Sequence, residues 1–168
     1  MPAKLYSMAN SAGICLGRDY SFGLVRPGLS LYGGIPRREA EGNIRQVARV
    51  DAQIVQRRTI RASESCGYGA TFVASAPTEA AIVNIGYADG YLRGFSSRGC
   101  AFAGEFALPV LGRVSMDLVA LGCDAVPELK EGDWVELDYD LPTASEASGL
   151  SQYELLTTLG SRIERVWT

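Results

Sequence analysis

The sequence predicts a mainly β chain: a small antiparallel β-barrel or sandwich with a short C-terminal helical segment, preceded by the end of a larger α/β unit. Three observations carry this expectation. From residue 44 onward, short apolar runs follow one another and Gly, Pro or Asp punctuates most of the gaps, the pattern of many short strands. Helix-start signals come only late, at Thr143 and Ser151. Before residue 37, two apolar pieces stand without neighbours against which they could bury their side chains.

Those pieces come first. Met8-Ala9-Asn10-Ser11-Ala12-Gly13-Ile14-Cys15-Leu16 is an apolar segment interrupted by Asn-Ser. Gly23 to Gly34 is a strand-like run bent at Arg26-Pro27-Gly28. The charged, breaker-rich stretch 37–43 marks a boundary, which divides the chain into 1–43 and 44–168.

Beyond it, Ala48, Val50, Ala52 and Ile54 alternate with Arg49, Asp51 and Gln53, the period of a half-buried strand. Further strands are expected at Thr59–Ala62, Thr71–Ala74, Ala80–Ile85, Cys100–Phe102, Glu105–Val110, Leu118–Leu121 and Asp133–Asp138. Thr143-Ala144-Ser145-Glu146 reads as a capping box with Gly149 as its stop. Ser151-Gln152-Tyr153-Glu154 reads as a second, with Gly160 beyond it. That helix puts Leu155, Leu156 and Leu159 on one face. A last strand, Ile163–Trp167, is expected to close the sheet.

Composition removes several function classes. The chain has 168 residues, 47% of them apolar, and a net charge of -3. No broad basic surface argues for nucleic acid or an anionic membrane. No apolar run approaches the roughly 20 residues that span a bilayer. No apolar signal core follows Met1-Pro2-Ala3-Lys4, so a cytoplasmic location is expected. There is no histidine, and Cys15, Cys66, Cys100 and Cys123 are irregularly spaced. That argues against a metal site and against a histidine-based triad, and for four reduced thiols. Proton transfer near neutral pH then falls to Tyr, Lys, Cys, Asp or Glu.

The chemistry-bearing stretch is 81–117. An apolar run leads into Ile85-Gly86-Tyr87-Ala88-Asp89-Gly90-Tyr91, and another into Leu111-Gly112-Arg113-Val114-Ser115-Met116-Asp117. Each is an apolar approach, a glycine and then polar groups, the rim of a site held up by buried strands. Asp89 and Asp117 read mainly as turn or hydrogen-bonding residues.

These two motifs, with Ala9-Asn10-Ser11-Ala12, Val25-Arg26-Pro27-Gly28-Leu29, Gly67-Tyr68-Gly69-Ala70-Thr71-Phe72 and Ser151-Gln152-Tyr153-Glu154-Leu155, occur in an order that resembles the C-terminal portion of the pyridoxal-phosphate-dependent alanine racemases. The resemblance covers essentially the whole chain. It implies an isomerase interconverting L- and D-alanine for peptidoglycan, with pyridoxal 5'-phosphate as cofactor. It also implies a head-to-tail homodimer in which an N-terminal (β/α)8 barrel meets a C-terminal β domain. Residues 1–43 would be a remnant of that barrel and 44–168 the β domain. The family's cofactor-anchoring lysine has no match at Lys4 or Lys130. The chain is therefore expected to be an excised or split half, inactive alone.

By the same resemblance, Tyr68 is the catalytic base on one face of the substrate, acting across the dimer. A phenol of pKa about 10 needs a cationic neighbour or a shielded pocket for this. Arg26 would face the pyridine nitrogen. Because arginine keeps its proton, the ring stays a weak electron sink and side reactions such as transamination are disfavoured. Ser11, Gly28, Leu29 and Tyr153 would cradle the phosphate. Tyr87 and Met116 would narrow the entrance and meet the substrate carboxylate. In the family a histidine commonly tunes the tyrosine through an arginine; Ser7 stands in its place, judged by its spacing from Ser11. Two other readings stay open: a non-catalytic β module that completes a separately encoded barrel, and a racemase of other amino acids.

Overall fold

The structure, a computed structural model, describes residues 3–167. It opens with β1 (Ser7–Asn10), a one-turn helix α1 (Ser11–Ile14) and β2 (Leu24–Arg26). β1 and β2 pair in parallel, Ser7 opposite Leu24 and Asn10 opposite Arg26. Parallel neighbours need a crossover connection, and α1 with the turn after it provides one. The unit leaves apolar side chains in water, among them Leu5, Tyr6, Met8, Phe22 and Leu31.

The body of the chain is a six-stranded antiparallel sheet. Its strands are β3 (Asp51–Ile60), β6 (Thr78–Val83), β7 (Cys100–Ala103), β8 (Phe106–Pro109), β9 (Val119–Gly122) and β10 (Trp134–Leu137), in the order β8-β7-β10-β3-β6-β9. Between β3 and β6 a small hairpin, β4 (Ser65–Cys66) with β5 (Phe72–Val73), stands apart from the sheet. β3 is the spine. Its first residues pair with β10 and the rest with β6, and the register shifts between Ile54 and Gln56. A bulge there bends the strand and lets one sheet curl around its own core. Among the described residues the outer edges meet at a single bridge, Val110 opposite Leu121, with the Leu111 amide donating to the Ala120 carbonyl at 2.8 Å. The barrel of the expectation is therefore not closed.

The inner face carries the alternation read in the sequence: Val50, Ala52 and Ile54 point inward with Ala81, Val83, Leu121, Val135 and Leu137. The apolar run Ala80–Val83 does not alternate, because both of its faces are covered. Ala81 and Val83 enter the main core, while Ala80 joins Ile60, Ala74 and Leu111 in a second cluster on the other side. Cys66 and Phe72 pack on that second cluster and seat the β4–β5 hairpin.

Two helices, α2 (Leu141–Ser148) and α3 (Gln152–Thr157), add Leu141, Ala144 and Leu155 to the main core. The Ser151 box forms as expected: Ser151 Oγ accepts the Glu154 amide at 3.2 Å, and Glu154 Oε2 accepts the Ser151 amide at 2.8 Å. The Thr143 box does not. Asp140 caps that helix, its carboxylate accepting the Thr143 amide at 3.3 Å and the Thr143 hydroxyl at 2.7 Å. The helix thus begins before Thr143, with Pro142 in its first turn. Gly149 ends it in the left-handed conformation, φ 74°, as expected. Thr59–Ala62 is not a separate strand but runs into the end of β3. Ile163–Trp167 forms no strand; Ile163 packs against the main core, while Val166 and Trp167 stand exposed.

Candidate functional site

The expected site residues fall into two groups. The first is built on β1 and β2. The Asn10 side chain accepts the Gly13 amide at 3.0 Å and caps α1, which turns Ser11 inward until it is 2% exposed. Ser11 Oγ accepts the Gly28 amide at 2.9 Å and the Ser30 amide at 3.3 Å. With both lone pairs engaged, its proton is left to donate. The space where a Cβ at Gly28 would stand is open. The Leu29 side chain is anchored in the main core.

Arg26 lies beside these groups at the end of β2. Its Nε donates to Ser7 Oγ at 3.1 Å, and a terminal nitrogen donates to the Met8 carbonyl at 3.2 Å. Ser7, at the position where the resemblance leads one to expect histidine, is thus the partner that holds Arg26. Tyr153 stands exposed on the first turn of α3. Its neighbour Gln152 ties that helix to the same segment. Gln152 Oε1 accepts the Ile35 amide at 2.8 Å, and its Nε2 donates to the Ile35 carbonyl at 3.0 Å. A hydroxyl with its proton free, open backbone at Gly28 and a fixed guanidinium fit a phosphorylated ligand carrying a ring nitrogen.

The second group stands on three loops. Tyr68 tips the β4–β5 hairpin and is 62% exposed. Gly67 has φ 78° and Gly69 φ 73°, a backbone that L side chains rarely adopt, so the glycines permit this turn. The loop Gly112–Asp117 lies against it: a Cβ at Gly67 would meet the Arg113 backbone at 3.2 Å, and the Arg113 guanidinium passes Gly69. The same loop holds the third. Tyr87 donates its amide to the Ser115 carbonyl at 3.0 Å, and Ala88 donates to the Met116 carbonyl at 3.0 Å. A Cβ at Gly86 would strike those two carbonyls, so only glycine lets the loops lie this close. Tyr68, Tyr87 and Met116 are thereby brought to one loop cluster, with Tyr68 and Met116 exposed and Tyr87 partly so. Among the described residues, no hydrogen bond joins this group to the first.

The family model for the alanine racemase C-terminal domain matches residues 47–167. The chain belongs to the alanine racemase C-terminal domain family. It is 43% identical to the catabolic alanine racemase of Agrobacterium fabrum, over 98% of this chain and 44% of that protein. It is also 43% identical to the alanine racemase of Methylobacterium nodulans, over 98% of this chain and 46% of that protein. Among solved structures, the alanine racemase of Bartonella henselae with covalently bound pyridoxal phosphate superposes with a TM-score of 0.91 at 37% identity, over 100% of this chain and 48% of that one. The biosynthetic alanine racemase of Pseudomonas aeruginosa gives 0.88 at 32% identity, over 99% and 48%. The chain spans a little under half the length of these relatives.

Two basic residues of this alanine racemase C-terminal domain went unassigned in the sequence. The Arg93 guanidinium lies 4.9 Å over the centre of the Tyr87 ring, within cation–π range. Arg162 donates from Nε to Asp89 at 2.8 Å and from a terminal nitrogen to Asp117 at 2.8 Å. The hydrogen bonds to Asp89 and then Asp117 push the Arg162 pKa upward. Both acids act as the hydrogen-bonding groups that the sequence predicts. No periodicity or spacing could pair Asp89 with an arginine 73 positions on.

Proposed function

We propose that this chain supplies the C-terminal part of an alanine racemase that interconverts L- and D-alanine with pyridoxal 5'-phosphate. Its partners would be an N-terminal barrel carrying the anchoring lysine and, in the assembled dimer, a second copy. The observation that carries this reading is the loop 112–117, which touches both the Tyr68 turn and the Tyr87 turn. It brings the Tyr68 turn, Tyr87 and Met116 to one loop cluster, which supports reading Tyr68 as the proton-transferring phenol and the other two as substrate-facing.

Pyridoxal phosphate, when bound, supplies an electron sink that acidifies the α-carbon of an amino acid. The remaining roles fall to side chains and amides of this chain. Ser11, with its proton free, and the Leu29 amide would hold the phosphate, Gly28 leaving open space beside them and Tyr153 from α3 completing the cradle. Arg26, fixed by Ser7 and Met8, faces the ring nitrogen and offers only donors there. The Tyr68 phenol takes or delivers the α-proton on one face, and the barrel's lysine serves the other. The Met116 amide and the Tyr87 ring receive the substrate carboxylate and narrow the entrance. The racemised product would feed D-alanine to the cell wall from the cytoplasm.

The test is reconstitution. The chain is mixed with the separately produced barrel half of a relative such as the Agrobacterium fabrum protein, with pyridoxal phosphate and L-alanine. Appearance of D-alanine only when both halves are present is the expected result. A complex that forms, takes up cofactor and leaves L-alanine unchanged overturns the proposal and leaves a non-catalytic module.

A further inference from the structure

The tail after α3 makes contacts that no strand pairing requires. The Gly160 amide donates to the Asp89 carbonyl at 2.8 Å. Two residues on, Arg162 forks between Asp89 and Asp117. The two acids differ in setting. Asp89 is almost fully buried, and its second oxygen accepts the Gly86 amide at 2.9 Å, which fixes the turn that begins at Tyr87. Asp117 is exposed and directly follows Met116. One guanidinium therefore spans the bases of the two loops that present Tyr87 and Met116.

We infer that Arg162 is a positioning residue that sets the spacing between the Tyr87 and Met116 loops. The inference rests on the function proposed above for those two residues. A planar guanidinium can reach two carboxylates from different nitrogens at once; a lysine ammonium is a point charge on a flexible stem and holds one such geometry less well. The backbone bonds Tyr87 to Ser115 and Ala88 to Met116 bring the loops together. Arg162 ties together Asp89 and Asp117, just after Tyr87 and Met116, and the Gly160–Asp89 backbone bond joins this turn to the segment that follows the helix carrying Tyr153.

The first arm of the test uses the 168-residue chain alone. Amide hydrogen exchange is compared for wild type, Arg162→Met and Arg162→Lys. In Arg162→Met, exchange at Gly86, Tyr87 and Ala88 should rise roughly three- to tenfold, a modest figure because the arginine is half exposed. Arg162→Lys should show a smaller rise, and the amides of β3, β6 and β9 should keep their wild-type rates. No change at 86–88, or an equal rise throughout the sheet, overturns the inference. The second arm measures alanine kinetics in the complex with the barrel half. KM should rise in Arg162→Met while kcat stays within about twofold, and lysine should restore part of the loss. A fall in kcat at unchanged KM overturns it. Should the wild-type complex be inactive, the proposed function fails, and the first arm alone decides whether Arg162 sets the loops.

Discussion

The Ser11 hydroxyl accepts a hydrogen bond from the Gly28 amide 17 positions away at 2.9 Å, and from the Ser30 amide at 3.3 Å. One small side chain thus shapes the bend that follows β2. Replacing Ser11 with Ala leaves both amides short of an acceptor in a buried place. The cost should be about 1–3 kcal/mol of stability, read from urea unfolding. In the reconstituted complex, the same change should weaken pyridoxal phosphate binding by roughly tenfold, since a donor to the phosphate is lost with it. Unchanged cofactor affinity in a folded variant would remove Ser11 from the cradle.

Tyr68 is exposed, so Tyr68→Phe should leave the unfolding midpoint of the chain unchanged. In the complex it should lower kcat by roughly 10²- to 10⁴-fold, the range for losing one proton-transfer group. Full activity with phenylalanine at this position would exclude the phenol as a base.

Gly86 has an extended backbone, φ -160°, that any residue adopts, so the objection to a side chain there is purely steric. A methyl group would drive the Tyr87 loop off the Ser115 and Met116 carbonyls. Gly86→Ala should cost about 1–3 kcal/mol. It should also raise the exchange rates of the Tyr87 and Ala88 amides more than those of β3. Wild-type exchange at both positions would show that the loops are not held by this contact.

Leu155 is fully buried under the helical segment. Its backbone carbonyl also accepts the Tyr139 hydroxyl at 2.8 Å. Leu155→Ala should destabilise the chain by about 2–5 kcal/mol through lost burial and the cavity left behind. Tyr139→Phe should cost less, about 1 kcal/mol, because only the hydrogen bond goes. Thermal or urea unfolding ranks the two variants.

Glu154 titrates below the ordinary glutamate range, because the Ser151 amide and then the Ser151 hydroxyl donate to its carboxylate. A lowered folded-state value means the cap stabilises α3 fully above the ordinary glutamate pKa of about 4.3. That stabilisation is lost as pH falls through the lowered value. Exchange at the Ser151 amide should therefore accelerate, relative to the sheet, only below that range. In Glu154→Gln the step should disappear, and a step that persists would assign it to another acid.

Much of this was legible because it is local. The alternation of Val50, Ala52 and Ile54 shows which side of β3 meets the core, since a strand has period 2. Ser151 and Glu154 are three residues apart, so their reciprocal cap can be read directly. Thr143 misled because Asp140, three residues upstream, also offers an acceptor, and it captured both the amide and the hydroxyl of Thr143. The tail 163–167 is as apolar as a strand, but apolar character does not supply a partner edge.

The sequence by itself determined the strand-rich class, the C-terminal helical segment and the ordered motifs, because each rests on spacing within a few residues. The tertiary structure decided that, among the described residues, the edges of the sheet are joined by one bridge, Val110 to Leu121, that Ser7 is the side chain holding Arg26, and that Arg162 bridges Asp89 and Asp117. These are contacts between positions far apart in the chain. Their partners are chosen by how the bulged β3 curls the sheet and where the loops then fall, and no local pattern records that choice.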